Sequence, residues 1–392
     1  MRIALTADRL FTPHQTIEGP VVLIEEGRIA AVAPRAAIEI PPGTQTLSYP
    51  GHVIAPASFD VHTHGAAGHD SMEGDEVALM AIGLHHASRG VAGYLATTVT
   101  APIDLTLRAL EGMADVIESW DAATPAARPL GIHIEGPFIS PHKRGVHNPT
   151  LIVPPDIKLF DRFWQAARGH IRLMTIAPEM PGAIALIHHA RALGVRLSLG
   201  HSNAIADETI AGIEAGASSA THTFNAMRAL DHREPGILGT VLDRDDLFAE
   251  LICDGIHVTP PSVRIFARCK PAGRAILVTD SMSATGMPEG NYMLGEIEVQ
   301  VANGVATTNV GTYRSLAGSV LTLDRAIVNF IAFTRLPLSA AVRMASFNPA
   351  QMLGVEDRIG SLAPGREANL NILTAEGELA ATMLHGQLLD SD

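Results

Sequence analysis

The stretch Ala57-Ser-Phe-Asp-Val-His-Thr-His-Gly65 places two histidines one residue apart in an apolar setting. Side chains at i and i+2 of a strand leave the same face roughly 6 to 7 Å apart, so an extended chain here aims His62 and His64 at one point. Neutral imidazoles are good ligands for first-row divalent ions, although a bare His-x-His is more often a surface or hydrogen-bonded pair. What raises its weight is the company it keeps. Other apolar runs close on His133-Ile-Glu135, Gly200-His201, His222-Thr-Phe-Asn225, Asp254-Gly-Ile-His257 and Thr279-Asp280. Each alone reads as a cap or turn residue, because structural networks are common. Together they form a set of ligand type.

The chemistry follows from residue type. Glu135, His201 and His222 suffice for a site of two histidines and one carboxylate with a position left open for water. His62 and His64 offer ligands to a second ion, with the Glu135 carboxylate able to bridge. A bound divalent ion lowers the pKa of its water toward neutrality. Asp280 is then the natural general base, taking that water's proton and later giving it to the leaving group. The reaction class is metal-assisted hydrolysis of an amide-like or cyclic C–N bond.

Such residues act together only if the fold brings strand ends to one rim. Strand patterns occur at Val53–His64, Gly93–Thr100, Leu130–Pro137, Ile171–Pro178, Val195–His201, Ser218–Phe224, Phe248–His257 and Ala275–Asp280. Between them lie helical patterns such as Asp75–Ser88, Asp104–Trp120, Gly182–Leu193 and Ile205–Ala215, the last with Asn203 or Asp207 available as its cap. Eight alternating units predict an α/β fold, a (β/α)8 barrel whose site lies at the C-terminal strand ends; a doubly wound open sheet is the other architecture. The first 53 residues read instead as a small β meander, broken at Glu26-Gly27, Pro34 and Pro41-Pro42-Gly43. Short strands return from Ile359, so the expected units are a barrel over 54–358 and one β-sandwich built from 1–53 and 359–392. The Gly-rich stretch Ser281–Gly318 reads as an inserted hairpin or lid, followed by helices at Leu323–Thr334 and Leu338–Ala345.

Composition narrows the partners. The 392 residues are 47% hydrophobic, enough for a large core, and the net charge of −13 argues against binding nucleic acid through an overall field. Residues 1–13 carry Arg2, Asp8 and Arg9 and do not read as a secretion signal, and no apolar run reaches bilayer length, so no membrane role is expected. Two cysteines, Cys253 and Cys269, provide no disulfide framework, which fits a cytoplasmic location. Within this acidic chain His232, Arg233 and His257 form a small basic island. Arg233 is either an anion ligand or the partner of Asp231 and Glu234 in a surface ion pair. His52, His69, His85, His86, His188 and His189 read as exposed or structural.

The ligand set as a whole, from His-x-His to the terminal Asp, resembles the amidohydrolase superfamily over nearly the whole chain. Within it, the blocks His133-Ile-Glu-Gly-Pro-Phe138, Lys143-Arg-Gly-Val-His-Asn148, Gly200-His-Ser202, His222-Thr-Phe-Asn-Ala-Met227, Asp254-Gly-Ile-His257 and Leu316-Ala-Gly-Ser319 resemble the N-acetylglucosamine-6-phosphate deacetylase family. Glu135 stands where many other amidohydrolases use a carboxylated lysine. The resemblance implies that Glu135, His201 and His222 hold the catalytic metal, that Asp280 is the acid/base and that His147 positions the sugar. It further implies phosphate contacts from Asn225, the backbone at Ala226, Arg233 and His257, and a pocket wall from Leu316, Ala317 and Gly318. The expected cofactor is one or two divalent ions per subunit, zinc first, with iron, cobalt and manganese also accepting these ligands. The expected partners are an amino-sugar phosphate substrate and a second copy of the chain, with Arg233 serving its own or the neighbouring subunit. Competing readings are N-acetylgalactosamine-6-phosphate deacetylase, another amidohydrolase such as a cyclic amidase or purine deaminase, and a non-catalytic assembly protein that kept the barrel.

Overall fold

The structure is a computed structural model and describes residues 2–121, 123–310 and 313–389. The outermost residues of the expected terminal module, 1 and 390–392, and residues 311–312 of the expected insertion lie outside these.

Eight parallel strands form the centre: β1 (Ser58–Thr63), β2 (Val91–Thr97), β3 (Arg128–Glu135), β4 (Ile171–Ile176), β5 (Arg196–Leu199), β6 (Ser219–Ala220), β7 (Phe248–Ile252) and β8 (Ala275–Val278). Each pairs with the next in order. The ring joins at the seam between the last and first strands, where the Asp280 amide donates to the His62 carbonyl at 2.9 Å and the His64 amide to the Ser281 carbonyl at 2.8 Å. Strands covered on both faces need apolar residues throughout, and Ala275-Ile-Leu-Val278 is buried at every position. Helices pack outside. Asp75 caps the helix Glu76–Ser88 by accepting from the Ala78 amide at 2.9 Å.

Several elements differ from the sequence reading. The expected strand over Val53–His64 is two strands, because Gln45–Pro56 belongs to a different sheet and the chain turns into the barrel at Ala57. The helix Ala206–Ala215 is capped by neither Asn203 nor Asp207; its entry is held by the Glu208 carboxylate, which accepts from the Ile205 amide at 2.9 Å. Asp207 is already inside the first turn, and the Asn203 amide is taken by Glu179.

Both ends of the chain build a second, eight-stranded sheet. Gln45–Pro56 lies parallel to Arg2–Phe11 and antiparallel to Leu370–Leu373, which joins the two termini. It is one continuous sheet: its edge strand Arg28–Pro34 meets the approach to Leu370 through an Arg28–Glu367 bridge, and the curl encloses Leu5, Ile24, Ile54, Ile372 and Met383. The stretch after β8 is an antiparallel four-stranded sheet, Gly290–Leu294, Ile297–Ala302, Val305–Val310 and Tyr313–Leu316, with its own small core of Met282, Leu294, Val299, Val301, Ala306 and Ala317. Among the described residues no helix is long and apolar enough to cross a membrane.

Candidate active site

The C-terminal ends of the barrel strands converge on the Glu135 side chain. Its Oε1 lies 3.4 Å from His62 Nε2, 3.3 Å from His201 Nε2 and 3.1 Å from His222 Nε2, and its Oε2 lies 3.2 Å from His64 Nε2. Asp280 Oδ1 closes the group, 3.5 Å from His62 Nε2 and 3.2 Å from His64 Nε2. All six residues are buried. Three of them sit just past a strand with positive φ, His201 at 46°, His222 at 29° and Asp280 at 51°. A non-glycine residue in that region carries local strain, a cost found where geometry serves a site.

Hydrogen-bond partners fix where the imidazole protons are. His201 Nδ1 faces the Lys143 carbonyl at 2.9 Å, and a carbonyl only accepts, so Nδ1 carries the hydrogen and Nε2 presents a lone pair. His62 Nδ1 likewise donates to the buried Glu250 Oε2 at 3.0 Å. Its Nε2, buried without a hydrogen-bond partner, faces two carboxylate oxygens; burial opposes a charge on the ring, but Glu135 and Asp280 raise it well above the usual imidazole range, so Nε2 holds either a proton or a metal ion in its place. Lone pairs and carboxylates facing one another at these distances repel unless a cation lies between them. The Nε2 atoms of His201 and His222 lie 3.1 Å apart, close enough to share one proton or one cation. The donor set thus fits a divalent ion of the kind that accepts imidazole and carboxylate.

His147 is different. Its Nδ1 accepts from the Thr100 amide at 3.2 Å, which places the ring hydrogen on Nε2, 3.7 Å from Glu135 Oε2. Although His147 lies close enough to Glu135 and His201 to count geometrically as a ligand, its inward atom is a donor, suited to a substrate oxygen. Burial, the largest influence, pushes His147 down to about 4 and keeps it neutral. Burial also works against the charge on Asp280, but His62 and His64 outweigh it and hold the carboxyl at about 2. His64 rises to about 9 because its hydrogen bonds with Asp280 and Glu135 overcome the burial that opposes its charge.

A cleft of about 340 Å3 opens above this group. His147, Asn225, Ala226, His257, Leu316 and Gly318, all named from the sequence, line it. His257 is held by Asp254, with Nδ1 2.6 Å from Oδ2; burial opposes its charge, and the carboxylate prevails and raises it above the usual imidazole range. Ala317 does not line the cleft: just past the last strand of the inserted sheet, it is buried in that sheet's core. Nor does Arg233, which is exposed with its amide bonded to Asp231 Oδ1 at 3.0 Å. The basic island is therefore not assembled within one chain.

Residues 53–389 match the Amidohydrolase family. The chain belongs to that family. Among amidohydrolase relatives, it is 36% identical to the N-acetylgalactosamine-6-phosphate deacetylase of Escherichia coli O157:H7 over 99% of each chain. It is 33% identical to the N-acetylglucosamine-6-phosphate deacetylase of Bacillus subtilis (strain 168), covering 97% of this chain and 95% of that one. A solved structure of N-acetyl-D-glucosamine-6-phosphate deacetylase from Mycobacterium smegmatis, a mutant in complex with N-acetyl-D-glucosamine-6-phosphate, superposes with a TM-score of 0.91 at 33% identity over 99% of each chain.

Two contributors to this amidohydrolase site were missed from sequence. Glu250 orients His62 and also accepts from the His222 amide at 3.1 Å. The signal was present, since a carboxylate inside Phe248-Ala-Glu-Leu-Ile252 requires a partner when the strand is buried. Arg314, on the last strand of the inserted sheet, lines the cleft and donates to Gln300 Oε1 at 2.6 Å. Nothing in its neighbourhood in the sequence marked it, because the contact depends on how the insertion folds back.

Proposed function

We infer that the chain hydrolyses the acetamide of N-acetyl-D-glucosamine 6-phosphate to D-glucosamine 6-phosphate and acetate, a step of amino-sugar catabolism. The observation that carries this is the meeting of Glu135, His201, His222 and Asp280 beneath a cleft that also reaches His257, in a chain whose relatives are named for this deacetylation or its galacto counterpart. Glu135, His201 and His222 would hold the catalytic divalent ion, with His62 and His64 available to a second, and zinc is the ion we assign first. Such an ion supplies a Lewis acid and an acidified water. Asp280, ionised and beside the site, takes the proton of the attacking water and delivers it to the departing amine, so that acetate and a free amino group result. His147 donates from Nε2 to an oxygen of the bound sugar. His257, Asn225 and the backbone at Ala226 receive the phosphate, and Leu316 and Gly318 shape the wall.

We further assign catalysis to residues 54–358, with 1–53 and 359–392 as a supporting β module, in a cytoplasmic homodimer whose Arg233 completes the neighbouring subunit's phosphate site. The deciding experiment is acetate release from N-acetylglucosamine 6-phosphate, its galacto epimer and the unphosphorylated sugar, with and without a chelator. Chelator-sensitive release that prefers the phosphorylated gluco sugar is expected. No release from any of the three defeats the assignment.

A further inference from the structure

A second cavity lies at the opposite end of the barrel. Of about 290 Å3, it opens between Ser58, Gly93 and Arg128 near the N-terminal ends of β1, β2 and β3 and the segment 357–367 that leads into the terminal sheet. In barrels of this type the chemistry sits at the other face, on the order of 20 Å away for a six-residue strand. Arg28, Arg128, Arg358 and Arg366 all line this cavity, brought from three separate stretches of sequence.

Among the described residues some arginines are ion-paired and many are not. Arg2, Arg89, Arg168, Arg244 and Arg325 each lie 2.6 to 3.9 Å from a carboxylate oxygen. Among the described residues none of the four cavity arginines does. Arg28 donates to the Gly365 carbonyl at 3.0 Å, and Arg366 to the Ile359 carbonyl at 3.4 Å and the Ser361 hydroxyl, which tethers the segment and leaves most of each guanidinium's five donors unused. Two acidic residues share the lining. Glu367 is engaged by Asn369 at 3.2 Å and His385 at 3.6 Å, and the other is Asp357. Four guanidinium groups against two carboxylates leave an excess of two positive charges in one cavity of a chain whose net charge is −13. Like charges held together repel, and a multivalent anion relieves them.

We propose that this cavity binds the phosphate group of a small phosphorylated metabolite. A phosphomonoester carries close to −2 near neutral pH, which matches the excess, and guanidinium forks meet its oxygens two at a time. The site is independent of the reaction at the other rim.

The test uses the intact enzyme and two probes, inorganic phosphate and glucose 6-phosphate, with chloride at equal ionic strength as control. In the wild type each probe is expected to raise Tm in a saturable way that chloride does not reproduce. In the Arg128→Gln/Arg358→Gln variant the half-saturating concentration should rise at least tenfold, while kcat/KM and competitive inhibition by phosphate at the active site stay within twofold. An unchanged Tm response in the variant, or an equal response to chloride, overturns the proposal. Phenylglyoxal labelling of the wild type, mapped by mass spectrometry, needs no variant to fold: phosphate should protect Arg128 and Arg358 several-fold, and equal labelling with and without it also overturns the site. Stronger protection by glucose 6-phosphate than by phosphate assigns the site to the organic ester, and equal protection assigns it to the phosphate group alone.

Discussion

His147 and His201 line one cleft with ring centroids 4.7 Å apart, yet their neighbours impose opposite tautomers, an amide donor from Thr100 on one and a carbonyl acceptor from Lys143 on the other. A ligand must offer a lone pair, so the two histidines should separate by metal content. His201→Gln should lose bound metal together with activity. His147→Gln should keep the wild-type metal stoichiometry by elemental analysis and still lose about 100-fold in kcat/KM, the scale of misplacing a substrate; loss of metal from it would make His147 a ligand. Glu250 acts one step further out, because a carboxylate behind a ligating imidazole sets its orientation and basicity. Glu250→Gln should weaken metal affinity by about 10- to 100-fold, read as a shift in the chelator concentration that halves activity. Side-chain chemistry of this kind was largely legible in the sequence, since Glu135, His201, His222 and Asp280 each end an apolar run. The tautomers were not, because they depend on a backbone amide and a carbonyl in loops whose course no local pattern dictates.

The elements show the same division. All eight barrel strands were readable as apolar runs because burial on both faces leaves few alternatives, whereas their ends fall earlier than expected, as at β6, which is only Ser219–Ala220. There the chain leaves strand geometry in order to turn His222, at φ 29°, toward the site. The insertion was readable as a covering element, yet its strand count was not, because alternation in Gly290–Leu316 is set by packing on a small core of its own. That core decides which residues face the cleft. It withdraws Ala317 and presents Leu316, Gly318 and Arg314 to the cleft. Arg314 is the one Arg or Lys among the described residues lining it, and His257 is already partnered by Asp254. Arg314→Ala should therefore raise KM for the phosphorylated sugar by about tenfold, as expected for loss of a charged hydrogen bond of about 1.5 kcal/mol, with kcat little changed. The unphosphorylated sugar should be turned over at the wild-type rate, and equal losses on both substrates would remove Arg314 from phosphate recognition.

At the scale of the whole molecule, the seam that closes the barrel also sets its response to acid. Thr63 hydrogen-bonds Ser281 across that seam at 2.7 Å, and its hydroxyl is met from outside by Nε2 of His86, at 3.2 Å, on the helix Glu76–Ser88. His86 is buried against Tyr94, with centroids 5.3 Å apart, and burial, followed by the neighbouring His85, pushes it down to about 3. An unfolded histidine takes up its proton near pH 6.5. Between that pH and about 3 the unfolded chain therefore binds a proton that the folded chain refuses, and stability falls as pH falls through this window. By pH 4 the loss from this residue is about 3 kcal/mol. His86→Gln removes the titration while keeping a hydrogen-bonding side chain. It should cost about 1 to 2 kcal/mol at pH 7 through poorer packing, and that deficit should shrink and then reverse as the pH is lowered to 4 in urea unfolding. Acid also strips any bound metal, but it does so from both proteins, so the difference between their curves reads His86 alone. A difference that stays constant from pH 7 to 4 would assign the acid response to other groups, first among them His147, which burial pushes down to about 4.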